Sequence, residues 1–350
     1  MSFAASTKLL TLLRGMHVIG AHRWAAQRTR GLGAILMLHQ VCPPTGRDFE
    51  PSRILQVTPE FLDDALTLMR REHFEFIPLD AVPQRIKKPT DRPFACLTLD
   101  DGYRDNLEHA LPVFRAHNAP FAIYLPDTFA DGDGDVWWLT LEAVIRSAEQ
   151  LTVTLGENAK TFQLTTHAEK SAAHGELYWA LRNMDEPAAR AIVASLADEH
   201  GVDASAIAAE LLMTWDEVRR IAADPLCTIA AHTSRHFAAA KLDLAELQTE
   251  IMTNAARLEH ELGKRPRHFS YPYGCAQSAG RRDFDLVHSL GFDTAVTTRK
   301  GMIFPEHADH MTALPRLSLN GDYQDVRALE VLLSGLPFAL RNRGRRLDVA

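Results

Sequence analysis

Cysteine is scarce: Cys42, Cys96, Cys227 and Cys275 are scattered through 350 positions, with no C-x-x-C pair. That spacing excludes a disulfide scaffold and a zinc ribbon, and it fits reduced, mostly buried thiols in a cytosol-like compartment. No G-x-S-x-G stretch occurs, so the serine elbow of an α/β-hydrolase is excluded. Internal repeats and low-complexity tracts are lacking too. Arg14 and His17 break the one apolar stretch near the amino terminus and no small-residue cleavage site follows, so neither a signal peptide nor a spanning helix is expected. Acid is missing from the first 47 residues, which hold Lys8, Arg14, Arg23, Arg28, Arg30 and Arg47. The last ten residues set Arg341, Arg343, Arg345 and Arg346 against Asp348 alone. The net charge of −7 therefore conceals two basic ends on an acidic body. Leu9, Leu10, Leu12, Leu13, Met16, Ile19 and Trp24 alternate with the basic residues. This reads either as an amphipathic helix on an anionic membrane surface or as a helix packed on the protein's own body. The expected location is cytoplasmic, with or without a peripheral place on the inner membrane surface. Nucleic acid is not an expected partner, because the basic residues cluster at the ends and no recognised binding motif accompanies them.

What is present is more specific. With 46% apolar and 24% charged residues the chain has an ordinary globular composition, long enough for one barrel-sized domain with an insertion. The segment Phe94-Ala-Cys-Leu-Thr-Leu-Asp100-Asp101-Gly102 is an apolar run ending in two adjacent acids. Consecutive apolar residues argue for a strand buried on both faces, and the helix-like stretch that follows makes a parallel β-α unit with the acids at the strand's carboxyl end. Two neighbouring carboxylates imply either a cation or a raised pKa; as a simpler alternative, Asp-Gly caps a helix or makes a turn. Leu226-Cys-Thr-Ile-Ala-Ala-His232-Thr-Ser-Arg-His236 has the same form, with two histidines four apart, a spacing that places both imidazoles within reach of one ion. Asp101, His232 and His236 make the mixed N/O donor set expected of zinc, or of cobalt, manganese, nickel or iron. His268-Phe-Ser-Tyr-Pro-Tyr-Gly274 runs a third strand into a proline turn, of the kind that can aim an N–H at an oxyanion.

Strand and helix signals alternate from Ala34 onward, stop near Asp131 and resume at Thr214. The expected organisation is a basic amino-terminal segment (1–33), a barrel (34–130 and 214–320), an inserted, mostly helical subdomain (131–213) and a carboxyl-terminal helix with a basic tail (321–350). Within the insertion, Asp131-Gly-Asp-Gly-Asp135 has the look of a calcium loop. Val136 stands where such a loop needs glycine, so a flexible turn is the better reading. Trp137 and Trp138 read as a sugar-stacking platform or as the insertion's own small core.

In this order the three segments resemble the polysaccharide deacetylase family, which includes the nodulation-factor chitooligosaccharide deacetylases (the NodB homology domain). Thr98-Leu-Asp-Asp-Gly102 matches its T-F-D-D-G motif, His232-Thr-Ser-Arg-His236 its H-[ST]-x-x-H motif, and Ser270-Tyr-Pro-Tyr-Gly274, more loosely, its R-x-P-Y-G motif. The resemblance implies a distorted, incomplete (β/α) barrel in the α/β class. It also implies a metal held by Asp101, His232 and His236, Asp100 as general base, and the Tyr273 N–H as oxyanion donor. The implied reaction is attack of a metal-activated water on the N-acetyl group of an amino-sugar glycan, such as a chitooligosaccharide or another N-acetylglucosamine polymer. Two departures stand out. Ser270 replaces the family's arginine, for which Arg316 in Ala313-Leu-Pro-Arg-Leu317 is the candidate substitute. No late Leu-x-x-His motif is visible, and His39 on the first strand is the candidate general acid, as in a branch resembling poly-N-acetylglucosamine deacetylases. The departures leave two other readings open: a catalytically weak glycan-binding module, and a metal-dependent deacylase of a small non-sugar amide.

Overall fold

The computed structural model describes residues 3–132, 134–156 and 158–349. Seven parallel strands form the frame: β1 (Gly33–Leu38), β2 (Phe94–Asp100), β3 (Phe121–Leu125), β4 (Cys227–Ala231), β5 (His268–Ser270), β6 (Thr294–Lys300) and β7 (Leu314–Ser318). Each pairs with its neighbours in sequence, and β1 pairs with both β2 and β7, so the sheet closes on itself. The short strand Glu75–Phe76 lies against the start of β2 outside this ring. The barrel is thus of the (β/α) type but one strand short of eight, and a register shift between β6 and β7 distorts it. Where β1 meets β2, a Cβ on Gly33 would lie 2.1 Å from the Phe94 carbonyl oxygen, so only glycine lets the ring close there.

All residues of β1, β2 and β3 are buried, as expected of strands covered on both faces. Alternation along the strands then sorts the side chains. Ile35, Phe94, Cys96, Ala122, Tyr124 and Leu314 pack in the barrel interior. Leu36, Leu97, Leu99 and Ile123 face the helices outside. Continuing that period-2 pattern along β2 and β7 points Thr98, Asp100 and Arg316 into the barrel. Helices Pro59–Arg71, Trp215–Ala222, Leu244–Leu262, Arg281–Ser289 and Val326–Leu333 make the outer layer. The first starts as its sequence dictates, with the Thr58 hydroxyl accepting from the Phe61 N–H and proline in the first turn.

Between β3 and β4 the chain leaves the barrel. Helices Trp137–Ser147, His167–Asn183, Glu186–Glu199 and Ala204–Leu211, with the hairpin Gln150–Leu155/Asn158–Gln163, build their own apolar cluster around Leu141, Leu151, Leu177 and Val193. The amino-terminal segment forms helices Phe3–Val18 and Ala21–Thr29. Leu13 of the first is fully buried, and this helix packs on Val326–Leu333.

Candidate metal centre and catalytic site

The polar residues at the carboxyl ends of the strands meet over one mouth of the barrel. Asp100, the last residue of β2, is clasped by Arg316 from β7: Nη1 donates to Oδ1 and Nη2 to Oδ2, both at 2.7 Å. This forked geometry is available to a guanidinium and not to an ammonium. Arg316 is 1% exposed and also donates to the Thr297 carbonyl, the Thr98 hydroxyl and the Ser270 hydroxyl. Burial alone would raise the Asp100 pKa; the Arg316 charge and hydrogen bonds, with His232 and His39 nearby, hold it below the ordinary carboxylate value. His39, just past β1, brings its Nε2 to 3.9 Å from Asp100 Oδ2 and keeps part of its ring in solvent. Its backbone carbonyl accepts from Asn106 Nδ2, which ties the end of β1 to the segment after the acid pair.

Asp101, His232 and His236 are all buried, with one donor atom from each within 4.8 Å of the others. His232 Nε2 lies 3.5 Å and His236 Nε2 3.3 Å from Asp101 Oδ1. His232 Nδ1 lies 2.7 Å from the Ser270 carbonyl oxygen, so it carries the proton and turns the Nε2 lone pair toward Asp101. Burial drives the His236 pKa down, outweighing Asp101, which pulls it up. Its ring is therefore neutral near pH 7. Asp101 Oδ1 is fully buried, with no hydrogen-bond partner besides the two imidazole nitrogens among the described residues. The His232 Nε2 lone pair, His236 Nε2 and the Asp101 carboxylate thus converge in a buried place, a donor set that suits a divalent cation. The residues fit such an ion.

Backbone strain concentrates at the same place. Among the described residues seven non-glycine residues have positive φ, and four of them are Asp101 (74°), Thr233 (57°), His236 (58°) and Tyr273 (61°). Left-handed backbone of this kind is held only where surrounding contacts over-determine it. Asn254, on helix Leu244–Leu262, supplies many of them. Its Oδ1 accepts from the His232 N–H, and its Nδ2 donates to the Leu125 carbonyl and to Asp127 Oδ1. Asp127 Oδ2 in turn accepts from the Ser234 hydroxyl. Glu250, one helical turn before Asn254, receives the Arg235 N–H and guanidinium. Sequence reasoning missed these residues. Asp127 carried a usable signal, since it follows the apolar strand β3 much as Asp100 and Asp101 end β2; Asn254 is one polar residue on a long helix and carried none.

Tyr273 sits where its motif predicts. Its N–H finds no acceptor among the described residues, while its carbonyl accepts from the Thr298 hydroxyl. Its ring packs 4.8 Å from that of His236, Arg182 of the insertion lies over it at 3.5 Å, and its hydroxyl accepts from Trp137 Nε1. Trp138 completes the wall, 5.2 Å from His236. Trp137 and Trp138 are 2% and 6% exposed, so they are core, and the stacking platform is not what they form: neither offers a face to a sugar because both are used to pack the insertion against the site. Of the calcium-like stretch, Asp133 lies outside the described residues. Asp131 is occupied by Trp215 Nε1 and Arg257, and Asp135 by Arg190.

A second His-His-carboxylate group, His17, His22 and Glu330, lies where the amino-terminal helices meet Val326–Leu333. There the Glu330 carboxylate already accepts from Arg23 and faces Arg71 at 3.5 Å. Two guanidiniums leave little field for a cation.

A family model for polysaccharide deacetylase matches residues 154–294, a stretch that includes His232, His236 and Tyr273 and excludes Asp100, Asp101 and Arg316. No curated protein matches the sequence. Among solved structures, the Streptococcus pyogenes deacetylase PplD, in complex with acetate, is similar with a TM-score of 0.53 at 14% identity over 83% of this chain and 92% of its own. IcaB from Ammonifex degensii has a TM-score of 0.53 at 15% identity, covering 86% and 98%. A de-N-acetylase from Aggregatibacter actinomycetemcomitans has 0.51 at 12%, covering 83% and 95%. At such identities the structures show a shared fold, and over residues 154–294 the chain is similar to the polysaccharide deacetylase family.

Proposed function

We propose that this protein is a metal-dependent hydrolase that removes N-acetyl groups from an amino-sugar glycan. The observation that carries the reading is the convergence of Asp101, His232 and His236 with a second acid, Asp100, held ionised beside them by Arg316. A zinc or similar ion bound there would supply a Lewis acid that acidifies water and polarises an amide carbonyl. The chain's own residues would do the rest. Asp100, kept deprotonated by Arg316, retains a second lone pair on each oxygen and takes the proton of the attacking water. The Tyr273 N–H points its free donor at the oxygen that becomes negative. His39, partly exposed and 3.9 Å from Asp100, gives a proton to the departing amine, so that acetate and a free amino sugar leave. The substitution of Ser270 for arginine favours this reading over an inert binding module. The small hydroxyl leaves room for Arg316 and hydrogen-bonds it, so the base keeps a guanidinium partner from another strand.

The test is acetate release from chitin oligomers and peptidoglycan fragments by the zinc-loaded protein and by Asp100→Asn. The expected result is release by the wild type and a loss of ~10²- to 10⁴-fold in the variant, at unchanged metal content. An Asp100→Asn protein that works at the wild-type rate, or a chelated protein that does, would end the proposal.

A further inference from the structure

Among the described residues seven large apolar side chains are exposed, and five of them, Leu12, Val18, Ile19, Trp24 and Leu340, lie on the terminal helices or in the turn between the first two. The fold brings these ends together. Helix Leu336–Arg341 packs on helix Ala21–Thr29, the Thr29 hydroxyl donates to the Ser334 carbonyl, and a Cβ on Gly335 would lie 1.9 Å from the Thr29 carbonyl oxygen. The two basic stretches of the sequence thus become one neighbourhood.

Helix Phe3–Val18 divides cleanly. Its inner side is pinned to the body by buried Leu13, by the Arg14 guanidinium on Asp325 at 2.7 and 2.9 Å, and by His17 on Glu330, which His22 of the next helix also meets. Lys8, Leu12, Gly15 and Ile19, spaced four, three and four residues apart, share the opposite side, and all are exposed. Val18 and Trp24, 82% and 80% exposed, flank the turn into the second helix. Lys8 and Arg28 have no ion-pair partner among the described residues, and Arg341, Arg343 and Arg345 project from the neighbouring carboxyl-terminal end.

From this arrangement we propose that the joined terminal helices are a docking surface for an anionic lipid bilayer. Exposed aliphatic and indole groups set among unpaired cations suit the headgroup boundary, where the apolar groups leave water and the cations meet lipid phosphates. A second copy of this chain fits less well, because an isologous contact would face the same cations with each other. The helices are already docked on the barrel by their inner sides, so the surface is displayed without unfolding. Nothing in this proposal depends on the reaction assigned above.

The test is co-sedimentation of the full chain with vesicles of phosphatidylcholine alone and of phosphatidylcholine with an equal part of phosphatidylglycerol. Binding is expected only with the anionic vesicles, with release as salt rises. The Val18→Asp/Ile19→Asp variant, altered only at exposed positions, is expected to bind about tenfold less or weaker still, with an unchanged melting temperature. Equal binding to both vesicles, or wild-type binding by the variant, would overturn the proposal. So would a concentration-dependent dimer in sedimentation velocity that the variant abolishes, since the occupant would then be a second copy.

Discussion

Among the described residues, two histidines and one carboxylate converge at two places, and only one of them has the electrostatics of a metal site. At Asp101, His232 and His236 the carboxylate oxygen nearest the imidazoles is buried with no partner besides them, and burial holds the His236 pKa down. At His17, His22 and Glu330 the rings are stacked 5.1 Å apart, but the carboxylate is shared with Arg23 and Arg71. The same residue types are arranged to suit an ion in one case and clamp two helices to a barrel in the other. What separates them is the charge already present and whether a buried acceptor is left over.

The comparison breaks most visibly at the carboxylates. Asp101→Asn is expected to lose its bound metal and to drop to background turnover, a fall of at least ~10²-fold. Glu330→Gln is expected to keep metal content and rate within about twofold while losing ~1–2 kcal/mol of stability. Burial would raise the Glu330 pKa, but His22, Arg23 and His17 hold it below the ordinary value of 4.5. The unfolded chain therefore takes up its proton first as pH falls. The stability Glu330 contributes is present above 4.5 and lost below, so the wild-type and variant melting curves should converge in acid. Metal analysis by plasma emission with thermal melts over pH checks both halves. A Glu330→Gln protein that lost a bound ion would collapse the distinction.

Arg316 gives the next largest effect. Its removal strands Asp100 in the barrel, so Arg316→Met is expected to cost ~3–5 kcal/mol. Arg316→Lys keeps a charge without the fork. Asp100 would then lose much of what holds its pKa down, and the acid limb of the pH–rate profile should move to higher pH while metal content stays constant. A profile superimposable on the wild type would mean that the guanidinium only packs.

Sequence made the strand ends legible because chemistry there is local: an apolar run broken by acids or histidines is visible within ten residues, and parallel strands bring such ends to one mouth. Arg316 was readable by the same rule, since it lies in the apolar strand β7. The Trp pair was not resolved, because whether an indole faces water depends on a helix packing more than ninety residues away in sequence, at His236. Asn254 shows no pattern at all. Its importance comes from meeting the His232 N–H, the Leu125 carbonyl and Asp127 at once, a coincidence of three distant segments that periodicity does not encode. The second His-His-Glu group was hidden for the same reason, Glu330 being over three hundred residues from its partners.

A third acid sharpens the contrast from the opposite side. Asp105 has neither a cation nor imidazoles: its Oδ1 accepts only from the Val41 N–H and Asn106 Nδ2. Burial pushes its pKa up to about 7, against the lowering by those two donors, with the Glu108 charge adding to the rise. The folded protein therefore holds a proton that the unfolded chain has released, and stability declines as pH climbs from the ordinary value of 3.8 to about 7. Asp105→Asn keeps an oxygen to accept both hydrogen bonds and removes the charge. It should match the wild type in acid and exceed it progressively across that window. The gain reads as a higher melting temperature at and above neutrality, with none in acid. Melting temperatures of the two proteins measured over pH check it. Parallel curves would show that the neutral donors suffice to keep Asp105 ionised, and that a guanidinium or a metal is not what a buried acid in this barrel requires.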